Sequence, residues 1–260
     1  MFLPILLLLV AGFPATAHDQ WSKTYQATQM PNLVVRTSDA NVRVDAWDQP
    51  AIEATVTTDG YKIGEGGISI SVSQVGNRIE IDVKLPREYF HVSLGRRRVD
   101  MVIHVPRSLN LDLHTGDGAI DINGISGQMA LRSGDGSIEA NGVEGKLNAT
   151  AGDGHVKVNG RFDQLDLRTG DGSIEADVLS GSNMSSEWTL HTGDGHLTMR
   201  VPENFSADVD IHTRDGHIDL GLPVFALGRT ENHEIHGRLN QGGPLLTLRA
   251  GDGSIRLEKL

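Results

Sequence analysis

From Leu109 to the C-terminus, apolar and polar residues alternate in short runs, and each run is broken by a recurring turn. The turn is Gly-Asp-Gly at 116–118, 134–136, 152–154, 170–172, 193–195 and 251–253, with Arg214-Asp215-Gly216 as a variant. The first four aspartates are 18 residues apart, and the later gaps of 23, 21 and 37 read as the same unit carrying insertions. Before the turn the inward set is Leu113, Leu131, Ala149, Leu167, Leu190, Ile211 and Leu248; after it come Ile120, Ile138, Val156, Ile174, Leu197, Ile218 and Ile255. Period two predicts strands. Glycine on both sides of the aspartate predicts a sharp corner between them, with positive φ available. A unit of two short strands cannot bury its apolar face alone, whereas stacked neighbours can. The expected fold is all-β: a single-domain β-solenoid, parallel β-helix-like, of roughly 18-residue rungs with insertions.

The pattern starts earlier than the glycines do. Leu33 to Val44 fits the template with a degenerate corner, which makes Asp39 the first aspartate of the series. Alternating runs at Ile52–Thr57, Ile68–Ser73, Ile79–Leu85 and Val99–Val105 predict strands of longer, less regular rungs. Proline after Leu85, Val105 and Val201 ends a strand each time by removing a ladder donor. The division is then a signal segment at 1–17, a lead-in at 18–32, and one solenoid at 33–260, irregular over 33–108 and Gly-Asp-Gly-repeated over 109–260. Interruptions at 86–97, 179–187 and 221–245 are expected to project from one side. No helical segment is predicted after residue 17.

Composition sharpens this. An apolar run from Phe2 to Phe13, followed by Ala15-Thr16-Ala17, has the form of a cleaved secretory signal, although no Lys or Arg stands near Met1. It is too short to span a bilayer, and no later segment reads as a membrane-crossing helix. With no cysteine, the exported chain must rely on ladder hydrogen bonds and packing. The formal charge of -11 argues against nucleic acid, whose backbone calls for a positive field. The one basic cluster, Arg96-Arg97-Arg98, reads as a solvated hairpin tip.

The signal segment, the irregular N-terminal strands, the Val-Pro breaks and the Ser/Thr-Gly-Asp-Gly-x-Ile turns together resemble the bacterial putative-adhesin domain family, a domain of unknown function. The resemblance covers most of residues 33–260. It implies an exported, adhesin-like protein and carries over no catalytic residue.

Candidate chemistry centres on the corner aspartates. Stacked in register they stand about 4.8 Å apart, and like charges at that distance repel by roughly 1 kcal/mol per pair even at the dielectric of water. One reading has each carboxylate accepting backbone N–H bonds from its own turn. Outside screening could come from the residues three positions earlier, His114, Arg132, Thr150, Arg168, His191, His212 and Arg249. A sharper reading places calcium at Asp117, Asp135, Asp153, Asp171, Asp194, Asp215 and Asp252, although Ca²⁺ takes 6–8 oxygen ligands and the paired turns of calcium-binding nonapeptide repeats are missing. A second histidine set follows the turn at His155, His196 and His217; His196 and His217 as rung neighbours could hold a transition metal, but exposed corner residues are the commoner case. His233-Glu234-Ile235-His236 has the wrong spacing for a zinc protease motif. Carboxylates at Asp121, Glu139 and Glu175 could imitate a polysaccharide-cleaving β-helix, but repeated equivalents lack the unlike environments a catalytic pair needs. No nucleophile elbow or phosphate-binding loop is present. The function expected is therefore non-catalytic: an adhesin-like binding or scaffold protein, periplasmic, cell-surface or secreted, without cofactor and with an unidentified protein or glycan partner at the envelope or surface. Self-association end to end is also expected, through an open edge at the terminal strand Ile255–Leu257.

Overall fold

The computed structural model describes residues 18–27, 29–86, 97–226 and 233–260, and every regular element among them is a β-strand. The N-terminal part carries β1 (His18–Gln26), β2 (Asn32–Thr37), β3 (Asn41–Trp47), β4 (Ala51–Asp59), β5 (Ser69–Val75), β6 (Arg78–Lys84) and β7 (Arg98–Pro106). The regular repeats supply β8 (Asn110–Thr115), β9 (Ile120–Asn123), β10 (Ser126–Ser133), β11 (Ile138–Ala151), β12 (Val156–Thr169), β13 (Ile174–Val178), β14 (Trp188–Thr192) and β15 (Leu197–Val201). The C-terminal part adds β16 (Ala207–Thr213), β17 (Ile218–Leu220), β18 (Val224–Ala226), β19 (Glu234–Leu239), β20 (Leu245–Ala250) and β21 (Ile255–Lys259). The expected signal segment, Arg96, most of the 86–97 interruption and part of the 221–245 interruption lie outside the described residues.

Strands that precede a corner stack into one column, in the order β5-β6-β2-β8-β10-β11-β12-β14-β20-β16-β19-β18. Strands that follow it stack into another, β1-β4-β7-β3-β9-β11-β12-β13-β15-β21-β17. Pairing is parallel through the middle and antiparallel at the ends, where β5 closes the first column and β4 and β1 the second at one end, and β19 and β18 close the first column at the far end. In the regular repeats the register offset is 18 residues, with Ile120 on Ile138 and Leu131 on Ala149. The period-two pattern puts the inward residues between the columns: all of the set predicted above are buried except Ile218, on the last rung, which is partly so. Trp188 fills the widest part of this core, edge-on to Phe162 at 6.3 Å and tilted on Phe205 at 5.5 Å.

The rungs are not stacked in chain order. The β2–β3 rung, first in sequence, lies between β6–β7 and β8–β9. The last rung, β20–β21, lies between β14–β15 and β16–β17. After β15 the chain builds the outer rung first, turns through β18 and β19, and returns to fill the gap. The terminal strand is therefore an interior strand, with Ile255 paired to Leu197 on one side and Ile218 on the other, and the open edge expected there does not exist. The described strands of the 221–245 interruption, β18 and β19, close a column instead of projecting from it. The 179–187 segment continues its rung: Asn183 and Ser185 donate N–H bonds of 3.0 Å to the carbonyls of Phe162 and Asp163.

The corners work differently from the sequence-based expectation. None of the glycines flanking the corner aspartates has positive φ. They are needed for close approach: a Cβ at Gly172 would overlap the Gly154 carbonyl of the adjacent rung, and the Gly170 N–H reaches the Gly152 carbonyl at 2.6 Å. Positive φ belongs to the opposite lateral edge, at Gly124 (71°) and Gly142 (60°). Nor does the aspartate close its own turn. A buried hydroxyl two residues earlier does so where Thr192 and Thr213 accept the Gly195 and Gly216 N–H at 3.2 Å, and Thr169, Thr192 and Thr213 each also donate at 2.7 Å to the Gly154, Gly172 and Gly253 carbonyls of neighbouring rungs. Each such bond contributes on the order of 1 kcal/mol.

Candidate functional site: two laddered faces and a lateral cleft

In space the corner aspartates run Asp39, Asp117, Asp135, Asp153, Asp171, Asp194, Asp252, Asp215, one per rung and all exposed. Among the described residues the only hydrogen bonds to these carboxylates come from Arg214, which reaches Asp215 and Asp252. The arginines three positions earlier pair with other acids: Arg132 with Asp112 (3.3 Å), Arg168 with Asp166 (3.1 Å) and Arg249 with Asp210 (3.1 Å). None of the three forms an ion pair with a corner aspartate among the described residues. Each rung adds a single carboxylate to the column, and no three His, Asp or Glu side chains converge for a metal among the described residues.

The outer face of the second column carries a ladder of Ser137, His155, Ser173, His196, Ser254 and His217, one per rung. Each side chain accepts the next rung's backbone N–H: Ser137 Oγ from His155, His155 Nδ1 from Ser173 (3.0 Å), Ser173 Oγ from His196, His196 Nδ1 from Ser254 (3.1 Å). A backbone N–H can only donate, so Nδ1 of His155 and of His196 is the acceptor, which leaves Nε2 as the ring nitrogen that carries the proton. His196 and His217 are not rung neighbours, because Ser254 stands between them and bonds His217 Nδ1 at 2.8 Å. Beside the ladder run Arg43, Asp121, Glu139, Lys157, Glu175, Thr198, Arg256 and Asp219. Arg43 meets Asp121 at 3.6 Å, Lys157 meets Glu175 at 3.8 Å and Arg256 meets Asp219 at 3.2 Å. Asp121, Glu139 and Glu175 therefore sit in a surface column of mixed charge, with Asp121 and Glu139 on adjacent rungs and Lys157 between Glu139 and Glu175.

The outer face of the first column is concave. Asn32, Asn110, Gln128, Lys146 and Gln164 occupy equivalent positions on five successive rungs and line a trough of about 380 Å³ with Val34 and Ala130 on the adjacent column. Asn110 donates to Asn32 Oδ1 at 3.0 Å and accepts the Gln128 N–H on its own Oδ1. Of the charged residues lining the trough, Arg78, Arg132 and Lys146 face one acid, Asp112, so the trough is cation-rich on a chain of net charge -11. Lys146 makes no ion pair among the described residues. This row was readable as a polar residue every 18 positions at 110, 128, 146 and 164, a signal hidden behind the louder glycines.

Around the lateral edge from the trough, the ends of β3 and β7 and the segments before β2 and β8 enclose a cleft of about 740 Å³. Trp47 lines it, with Pro50, Pro106 and Met30, under a rim of Gln29, Asp48, Gln49 and Arg107. Trp47 belongs to no repeated column, so no periodicity marked it. The 96–98 cluster proves to be partly engaged: Arg98 pairs with Asp100 at 2.6 Å and Arg97 lies over the Tyr61 ring at 5.0 Å.

The Toastrack DUF4097 family model matches residues 30–186. No curated protein matches the chain. Among solved structures, a putative cell adhesion protein from Clostridium sporogenes is 13% identical, covering 94% of this chain and 100% of its own, with a TM-score of 0.47. A putative adhesin from Bacteroides fragilis is 12% identical, covering 92% and 97%, with a TM-score of 0.34. A putative lipid binding protein from Parabacteroides distasonis is 13% identical, covering 93% and 97%, with a TM-score of 0.38.

Proposed function

The chain belongs to the Toastrack DUF4097 family, and from that premise we propose that it is an exported, non-catalytic, adhesin-like binding or scaffold protein of the cell envelope or surface. In this reading the stack is a β-solenoid of roughly 18-residue rungs, and the first-column trough is its binding face. The observation that carries the reading is the row Asn32, Asn110, Gln128, Lys146 and Gln164. Five rungs at about 4.8 Å make a strip roughly 20 Å long. Amides offer both donors and acceptors, and the strip repeats them at one period. Such a surface suits an extended polar polymer, an envelope glycan above all, held by many weak and similar contacts whose sum exceeds any one of them. No cofactor enters the proposal.

The test is co-sedimentation of the full chain with insoluble peptidoglycan and with neutral and acidic polysaccharides immobilised on beads. Gln128→Ala combined with Lys146→Ala, both at exposed or half-exposed positions, is expected to leave the fold intact and weaken binding about tenfold, equivalent to about 1.4 kcal/mol. Undiminished binding by the double variant removes the trough from the reading. Release of new reducing ends from any of the polymers removes the non-catalytic role.

A further inference from the structure

The lateral cleft is built as a ligand site in a way that neither laddered face is. Trp47 donates its indole N–H to the Ala51 carbonyl at 2.8 Å, and its ring stacks on His104 with centroids 5.2 Å apart and planes 21° from parallel. His104 is not part of the cleft lining whereas Trp47 is, and the stacking and the indole hydrogen bond together hold the Trp47 ring in one plane. Its neighbour Asp48 pairs across the rim with Arg107 at 2.9 Å, and both side chains remain largely exposed, at 84% and 64%. Asn77 donates to the carbonyls of Gln29 and Met30, pinning the opposite wall. Met30 itself sits at φ 52° with 46% of its surface exposed. A non-glycine residue in the left-handed region is strained, and such strain gathers at functional sites. An exposed thioether held there is hard to account for by packing.

From this geometry we infer that the Trp47 cleft is a saccharide-binding site that takes one or two pyranose rings. An aromatic plane offers the C–H face of a sugar ring the apolar contact it lacks in water. Asp48 accepts from hydroxyls and Arg107 donates a planar fork of N–H groups. Gln29 and Gln49 do both. A cavity of about 740 Å³ lies in the ordinary range for small-ligand sites, roughly 300–1,000 Å³, which combine apolar walls with a few converging polar groups. Along the chain the cleft and the trough are two residues apart, Met30 from Asn32 and Ser108 from Asn110. The inference rests on the reading that the chain is a binding protein, yet it does not require the trough to be occupied.

The experiment follows the Trp47 indole N–H resonance of the full chain while oligomers of β-1,4-linked N-acetylglucosamine and of α-1,4-linked glucose are added separately. A saturable shift with either oligomer is expected, weakened at least about tenfold in Asp48→Ala and in Arg107→Ala, whose exposed side chains spare the fold. Gln128→Ala in the trough should leave it unchanged. That pattern with no polymer co-sedimentation keeps the cleft and discards the trough; co-sedimentation without a Trp47 shift does the reverse. No saturable shift with either sugar, a shift that survives Asp48→Ala and Arg107→Ala, or a response only to a short-chain fatty acid offered as an apolar probe, overturns the inference.

Discussion

Deleting residues 241–260 should unfold far more than a chain end. The deletion removes β20 and β21, and with them Leu246, Leu248, Ile255 and Leu257, all fully buried. Burying an aliphatic side chain of this size contributes about 1.5–3 kcal/mol, so the four together contribute roughly 6–12 kcal/mol, an upper estimate because the unfolded chain is already partly compact. A whole domain is typically stable by about 5–15 kcal/mol. The loss falls in the middle of the stack: β14 and β15 lose their neighbours on one face and β16 and β17 on the other. Stacking in chain order would make the same rung a terminal layer whose removal leaves its one neighbour solvated and the remainder folded. Hydrogen exchange resolved by peptide is the assay. Protection is expected to vanish through β16, β17 and β19 and to fall in β14, with a red shift of the Trp188 emission, while β8 to β12 stay protected because repeats depend mainly on adjacent repeats. Native protection of β16 and β19 in the truncated chain would refute the rung order.

Gly251→Ala sets a Cβ against the Gly193 carbonyl of the adjacent rung and should destabilise by about 1–3 kcal/mol, seen as a lowered Tm; an unchanged Tm would mean the close approach is not needed. Tyr25→Phe should be neutral or slightly stabilising, since the buried hydroxyl has no partner among the described residues. Burial holds the Tyr25 phenol above 10, disfavouring its ionised form in the fold, so the parent should lose stability as pH rises past that value and the variant should lose less; equal alkaline melts would contradict this. Lys259, by hydrogen bond and charge, holds the Glu203 carboxyl below its ordinary value of 4.5, so this contact helps above the ordinary carboxylate range and is lost as pH falls. Glu203→Gln should flatten the stability slope between about pH 5 and 3 at low salt, and coincident slopes would dismiss the contact. Long-range ¹H–¹⁵N spectra at neutral pH should show His155 and His196 protonated on Nε2; protonation on Nδ1 at either would break the ladder assignment.

The strands were legible because a half-buried strand writes its two faces as alternation, and the set from Leu113 to Ile255 did so without interruption. The order of the rungs was not read, for a physical reason: every rung shows its neighbours the same apolar face, so the core is indifferent to permutation. The outer columns are not indifferent. In chain order His196 would stand beside His217, and Arg200 would lack Glu258; in space Ser254 separates the imidazoles, and Arg200 bonds both Asp177 and Glu258 at 2.9 Å. The trough row was likewise present as an 18-residue period in Asn110, Gln128, Lys146 and Gln164. The Trp47 cleft left no trace in the pattern, since it is assembled where three irregular connections meet.

The corner motif itself carries the missing order. Within the stack, corner amides approach the carbonyl of the preceding rung at 2.5 Å for Gly152, 2.6 Å for Gly170, 2.7 Å for Gly193 and 2.6 Å for Gly251. That spacing leaves no room for a side chain at the first corner position. At the last corner the separation is 2.9 Å, from Arg214 N–H to the Gly251 carbonyl, and no further Gly-Asp-Gly corner stacks beyond it. Arg214 is tolerated there, and its guanidinium turns onto Asp215 and Asp252. At the other limit, where the Gly-Asp-Gly series begins, serine precedes Asp39. A complete Gly-Asp-Gly thus marks an interior rung, and a substituted first glycine marks the limit of the series. By that rule Gly251-Asp252-Gly253 belongs inside the stack and Arg214-Asp215-Gly216 outside it, although the chain reaches them in the opposite order. Arg214 also supplies what the exposed acid column lacks along its length, a cation within bonding distance. Repulsion of roughly 1 kcal/mol per neighbouring pair is relieved at that terminal pair, the one that has no second neighbouring rung to hold it in register.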